Sequence, residues 1–140
     1  LPEFTLIPTV KARLLQPWEK LSKKFDEPLT KSLSLNSDWI WVAVTEEEII
    51  GFLVACECHG AAFVLRIRMT EQAPVAALLV LLRQFFQDAA SRGLKGFVIT
   101  LDHKSYVERR IGRIMKNSFK AAVTDATFYM ASAEFPKEEL

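Results

Sequence analysis

The stretch Trp39 to Glu71, WIWVAVTEEEIIGFLVACECHGAAFVLRIRMTE, constrains the fold more than any other part of the chain. It holds three runs rich in β-branched and aromatic residues, separated by short polar turns. It then leads directly into an apolar segment with helical spacing that begins at Pro74. Trp39 to Val44 reads as a strand, Thr45 to Glu48 as a polar turn, and Ile49 to Cys58 as the second strand of a hairpin. Gly51 marks a place where a neighbouring backbone comes close. His59-Gly60 supplies the next turn, and Ala62 to Met69 is the third strand. Its alternation puts Leu65, Ile67 and Met69 on an apolar face and Arg66 and Arg68 on a basic one.

Pro74 to Arg92 is the longest helical segment, and Gly93 is its stop signal. Its first two turns are apolar all round, which predicts burial under other elements. The apolar run Val75 to Leu82 is far too short to cross a bilayer, which takes ~20 residues, so it reads as core. Gly96 to Leu101 is a buried strand. Ser105 and Glu108 have capping-box spacing and open a basic helix to about Asn117. Phe119 to Val123 and Thr127 to Ala131 form a closing hairpin, and Ala133 to Leu140 is a polar tail. Upstream, Glu3 to Val10 reads as an edge strand and Val10 to Phe25 as helical, divided by Pro17, which suits a first helical position. Glu27 to Ser37 reads as loop.

With 140 residues, half of them hydrophobic and a quarter charged, the chain has the size and composition of one packed domain over 1–140. It begins at Leu1, which also suits a domain taken from a longer protein. A formal net charge of +1 gives no global pull toward nucleic acid or membrane, so an anion site must be local. No secretory signal opens the sequence, and Cys56 and Cys58 point along one strand in parallel, a poor geometry for a disulfide. Both features fit a cytoplasmic protein. The two thiols read as small buried hydrophobes. With His59 they lack the spacing and the fourth ligand of a zinc site, so no metal is expected.

The order of elements is strand, helices, three strands, helix, strand, helix, two strands. With Trp41-Val42-Ala43-Val44 running into Ile49-Ile50-Gly51-Phe52-Leu53-Val54, and with Leu65 to Gln72, Leu81 to Gly93 and Gly96 to Asp102 following, the chain resembles the GNAT N-acetyltransferases. The resemblance implies an α/β (α+β) fold: a single GNAT-like domain whose mixed, mostly antiparallel central sheet has helices on both faces. It also implies acetyl-CoA as co-substrate and an amine-bearing small molecule or protein as acyl acceptor, with no membrane partner. The family's diphosphate loop, Gln/Arg-x-x-Gly-x-Gly/Ala, falls on Gln72, Val75 and Ala77 counted from the strand, or on Ala73, Ala76 and Leu78 counted from Gly93. Neither register has the first glycine, and Pro74 supplies no amide. Ile67, Met69, Gln72, Val75, Ala76 and Ala77 are the residues this resemblance assigns to acetyl-CoA. Around Val107 and Ile114 the sequence has neither the family's Asn nor its late Tyr, and Ser118-Phe119 stands where Gly-Phe is usual.

Acyl transfer needs a base for the incoming amine and an acid for the leaving thiolate. Glu57, His103 and Tyr106 are the candidates, each weighed against an ordinary surface role. Arg66, Arg68, Arg109, Arg110, Arg113 and Lys116 make the concentrated basic surface, with Arg109, Arg113 and Lys116 on one helix face. They could meet a 3′-phosphate of coenzyme A, but a solvated face is the simpler reading, and nucleic acid is not expected as a partner. The missing loop glycine, Pro74 and the absent tyrosine also fit a second reading, a GNAT-like domain without catalysis that serves as a binding or structural module. A homodimer or a sister domain could pair with the last hairpin.

Overall fold

The computed structural model describes residues 9–16, 19, 39–46, 48–102, 106–118, 122–124 and 128–133. Seven strands form one sheet: β1 (Lys11–Leu14), β2 (Ile40–Thr45), β3 (Glu48–Cys58), β4 (Ala61–Met69), β5 (Phe97–Asp102), β6 (Ala122–Thr124) and β7 (Phe128–Ala133). Their order is β1-β2-β3-β4-β5-β7-β6. Helix α1 (Val75–Ser91) connects β4 to β5, which pair in parallel, and α2 (Tyr106–Ser118) follows β5. All other neighbouring strands are antiparallel. This is the mixed, mostly antiparallel sheet that the sequence predicts.

β2 and β3 are central because their side chains are apolar on both faces. Trp41, Ala43 and Leu53 belong to the cluster that α1 covers, whereas Ile40, Val42, Phe52 and Val54 form a second cluster on the other face. Ile111 and Met115 of α2 join the first cluster. Helix coverage of the second face was expected from residues that largely lie outside those described. Along α1 the buried side chains are Ala77, Leu78, Leu81, Leu82, Phe85, Phe86 and Ala89, a helical stripe. Ala76 is exposed, and Leu79 and Val80 are half-buried, so the first two turns are not enclosed on all sides as expected. A single sheet face lies beneath them. α1 ends in a Schellman motif: Gly93 has φ +80, its N–H donates to Ala90, and the Leu94 N–H donates to Ala89.

Trp41 ties the sheet to the helix. Its indole N–H donates to Asp88 at 2.8 Å, its ring meets Phe85 edge-on at 5.0 Å, and the Arg92 guanidinium lies 5.1 Å above it. No helix of the described residues is long and apolar enough to cross a membrane.

Three expectations need correction. Residues 11–14 form a strand and not a helix. Pairing with β2, from Lys11 opposite Val44 to Leu14 opposite Trp41, satisfies their backbone, and Val10, Ala12 and Leu14 pack with period 2 on the first cluster. Cys56 and Cys58 are exposed, because burial along β3 stops at Ala55 and the hairpin beyond it projects past the core. Leu65 is 43% exposed, although the alternation put it with Ile67. Val54 opposes Arg66 and Ala55 opposes Val64, so Leu65 is an extra residue in a β-bulge that resets the phase of β4.

Candidate active site

The bulge positions the candidate site. β4 and β5 pair only from Ala62–Phe97 to Val64–Ile99, although β4 runs on to Met69 and β5 to Asp102. Past the bulge the two strands hold no ladder to each other. The crevice between them has Arg66, Ile67 and Arg68 on one side and Thr100 on the other, with Glu108 and Ile111 of α2 across it. Its volume is about 50 Å³, room for one or two waters at ~30 Å³ each. The guanidinium of Arg68 donates to the Ile67 carbonyl at 2.9 Å, which holds an arginine stem along the β4 edge of the gap.

At the end of β4 the chain turns through Thr70–Pro74 into α1. The Thr70 N–H donates to the Ile50 carbonyl at 2.9 Å, and the Ala73 N–H donates to Thr70 at 3.1 Å, so the turn is fastened to β3 and to itself. Pro74 is the N-cap residue, with φ −60° and ψ 147°; it provides no side-chain cap, and the first turn carries no acidic residue. A helix cannot satisfy its own first amides, which here belong to Val75, Ala76 and Ala77. The Ala77 N–H donates to the Pro74 carbonyl at 2.9 Å, and its methyl group is fully buried. Val75 and Ala76 supply the other amides at the positive end of the helix dipole.

The residues singled out from sequence fall in different places. Ile67 is buried in the core, Met69 is half-buried at the end of β4, and Gln72 is exposed in the turn. Of these, Ile67 lines the crevice, Met69 and Gln72 line a separate cavity beside the β2–β3 hairpin, and Val75, Ala76 and Ala77 open α1. Glu57 lines neither the crevice nor that cavity. It is exposed and opposes Ala62, where β4 and β5 are still paired, and seven residues of strand separate Ala62 from Met69, roughly 20 Å. Tyr106 is the first residue of α2, and β5 ends at Asp102. His103 lies outside the described residues, as does Ser105. Arg109, Arg113 and Lys116 are exposed together on α2, as their spacing predicts. Among the described residues no group of three His, Cys, Asp or Glu side chains could hold a metal ion.

Sequence reasoning missed the crevice lining. In the sequence Arg66 and Arg68 read as a basic strand face open to a 3′-phosphate, and Glu108 as a capping residue, none of them as lining of a gap between strands. The signal was present as a slip in phase: Val64 and Ile67 are three apart, yet both are buried.

No protein-family model matches the sequence, and no curated protein sequence matches it. Solved structures do match in shape. The ribosomal-protein-S18-alanine N-acetyltransferase of Escherichia coli aligns over 94% of this chain and 99% of its own, with TM-score 0.63 and 9% identity. The diaminobutyrate acetyltransferase EctA of Paenibacillus lautus, solved with L-2,4-diaminobutyric acid and coenzyme A, aligns over 94% and 98%, with TM-score 0.59 and 14% identity. The PaiA N-acetyltransferase of Thermoplasma acidophilum, in complex with coenzyme A, aligns over 69% of this chain, with TM-score 0.57 and 18% identity; the match spans 60% of that protein's length. The element order, the split parallel pair and these likenesses together establish that the chain has the fold of the GNAT N-acetyltransferases.

Proposed function

We propose that the protein is a GNAT-type N-acyltransferase that moves an acyl group from acetyl-CoA to an amine. The observation that carries this reading is the split between β4 and β5 past the bulge, with the uncapped start of α1 following the turn at the end of β4. An extended pantetheine arm can hydrogen-bond to unpaired strand edges as a strand would. The Val75 and Ala76 amides, with the helix dipole behind them, suit a diphosphate. In this reading the backbone near Met69 holds the oxyanion while the acceptor nitrogen attacks the thioester carbon and the thiolate leaves. His103 and Tyr106, which follow β5 in the chain, are the candidates for proton transfer. Glu57 would need a relay across much of β4, so its contribution is the weakest of the three.

Calorimetry with acetyl-CoA and with coenzyme A tests the proposal. Saturable binding is expected, and it should weaken on Val75→Pro, which removes one first-turn amide at the first helical position, where proline is tolerated. Absence of heat at millimolar ligand ends the reading.

The alternative, a GNAT-like module without catalysis, has specific support. The crevice is narrow and charged, Pro74 offers no donor, and the Ala77 amide is already engaged. Under that reading neither coenzyme A nor acetyl-CoA binds.

A further inference from the structure

The end of β4, where the proposed reaction places the oxyanion, is set from behind by β3. Two hydrogen bonds fix the direction of its peptides. Ahead of the bulge the Ala62 N–H points toward β5 and donates to the Gly96 carbonyl at 2.9 Å. Beyond the bulge the Thr70 N–H points toward β3 and donates to the Ile50 carbonyl at 2.9 Å. Successive amides of a strand point to opposite edges, so Ala62 and Thr70 would share an edge in a regular strand. The extra residue at Leu65 exchanges the two edges. Arg68 therefore directs its carbonyl toward β3, and Met69 directs its N–H toward the split.

Gly51 stands opposite Met69 on β3. Ala43 opposes Gly51 and Val44 opposes Ile49, so Ile50 is the extra residue of a second bulge. Ile50 belongs to the first core cluster and Met69 packs against that cluster, so the sheet face at Gly51 is already occupied. A Cβ on Gly51 would overlap the Met69 Sδ, lie 2.7 Å from its Cε and stand 3.1 Å from the Arg68 carbonyl oxygen. Gly51 has no positive φ, so conformational freedom is not what glycine supplies here. It supplies space.

The two neighbours differ in how they can yield. The thioether is the far end of a flexible side chain, and Met69 borders the cavity of about 730 Å³ beside the β2–β3 hairpin. The carbonyl is backbone, and a planar trans peptide ties it rigidly to the Met69 N–H on the opposite edge. A Cβ at this distance makes the carbonyl give by a few tenths of an ångström. Preorganised sites hold their groups to within ~0.5 Å, so a displacement of this size matters at a donor.

We infer that Gly51 is a positioning residue for acyl transfer: by carrying no side chain it lets the Arg68–Met69 peptide lie close against β3, which aims the Met69 N–H at the thioester oxygen. This role rests on the acyltransferase reading. Gly51 itself touches no substrate and acts through the peptide opposite it.

Acetyl-CoA carries a thioester carbonyl that coenzyme A lacks, so the ratio of their affinities isolates contact with that oxygen. Calorimetry with both ligands is compared for the wild type, Gly51→Ala, Met69→Ala and Gly51→Ala/Met69→Ala. Met69→Ala removes the thioether, so the double variant retains the Cβ–carbonyl contact alone and keeps the test open if Gly51→Ala does not fold. In either background Gly51→Ala should shift the ratio about three- to tenfold against acetyl-CoA, the worth of one hydrogen bond, while coenzyme A affinity stays within about twofold. In ¹⁵N-labelled wild type the Met69 amide signal should move further with acetyl-CoA than with coenzyme A, and Gly51→Ala should shrink that difference. An unchanged ratio, or equal losses for both ligands, overturns the role of Gly51 and leaves the acyltransferase reading standing. Binding of neither ligand to the wild type removes that reading and this role with it.

Discussion

Glu19 shows how one side chain can set local order and pH response. Its carboxylate accepts from the Arg13 guanidinium at 2.6 and 2.8 Å and from the Gln16 N–H at 2.8 Å. The hydrogen bond from Arg13 is the main reason its pKa lies below the ordinary 4.5; the Gln16 amide and the charge of Arg13 lower it further, and burial works against them. Folding therefore gains from this carboxylate above its unfolded pKa, and the gain is lost as pH falls through the lower folded pKa. The pair is partly exposed, with Arg13 at 40% and Glu19 at 19%, so solvent screening limits it to about 0.5–1 kcal/mol. Arg13→Ala should lower stability by that amount at neutral pH and have little effect near pH 2, in urea titrations at the two pH values. Equal losses at both would assign the effect to the packing of the Arg13 stem. Nothing in the spacing of Arg13 and Glu19 announces the pair, because Arg13 sits on a strand that the sequence presents as the start of a helix.

At the scale of elements, hydrophobic period was a sound guide where it was unbroken. Strands β2, β3 and β5 and helix α1 follow from it, and Gly93 marks the end of α1. The sequence reading failed where an extra residue resets the period. Val10-Lys11-Ala12-Arg13-Leu14 alternates cleanly, but Leu14, Leu15, Trp18 and Leu21 offer a competing helical spacing over the same ground. The bulge at Leu65 is the more consequential case, because it turns an ordinary strand into one that parts from its neighbour. Its removal is a direct test. Deleting Leu65 leaves Val64 and Ile67 on the core face and Arg66 opposite Val54, so the β3–β4 ladder becomes regular. The variant should fold with a cooperative melt while β4 straightens toward β5. Coenzyme A affinity should then fall at least about tenfold, equivalent to ~1.4 kcal/mol, in calorimetry. Retained affinity with a normal melt would mean that the split is not where the ligand binds.

For the whole molecule, the architecture was legible and the chemistry much less so. The order of elements led to the GNAT-type sheet, and the shape matches agree. The proposed acetyl-CoA site was only half legible, since Gln72 to Ala77 could be proposed by counting while the engaged Ala77 amide and the arginines in the crevice emerge only from the fold. The net charge of +1 adds no long-range attraction for a polyanion, so affinity must come from a few groups near the loop. A ligand that binds only the folded state raises stability by mass action, about 2.7 kcal/mol at a hundredfold excess over Kd. For a domain of this size that corresponds to a Tm rise of roughly 8 °C. Acetyl-CoA should produce such a rise at low salt, and the rise should shrink as salt is added, because exposed arginines and helix-end amides are screened beyond ~10 Å at 0.1 M. A catalytically inert module predicts a flat Tm at every salt concentration. A rise that ignores salt would point instead to apolar contacts with the pantetheine arm, and would move the weight of binding from the loop into the crevice.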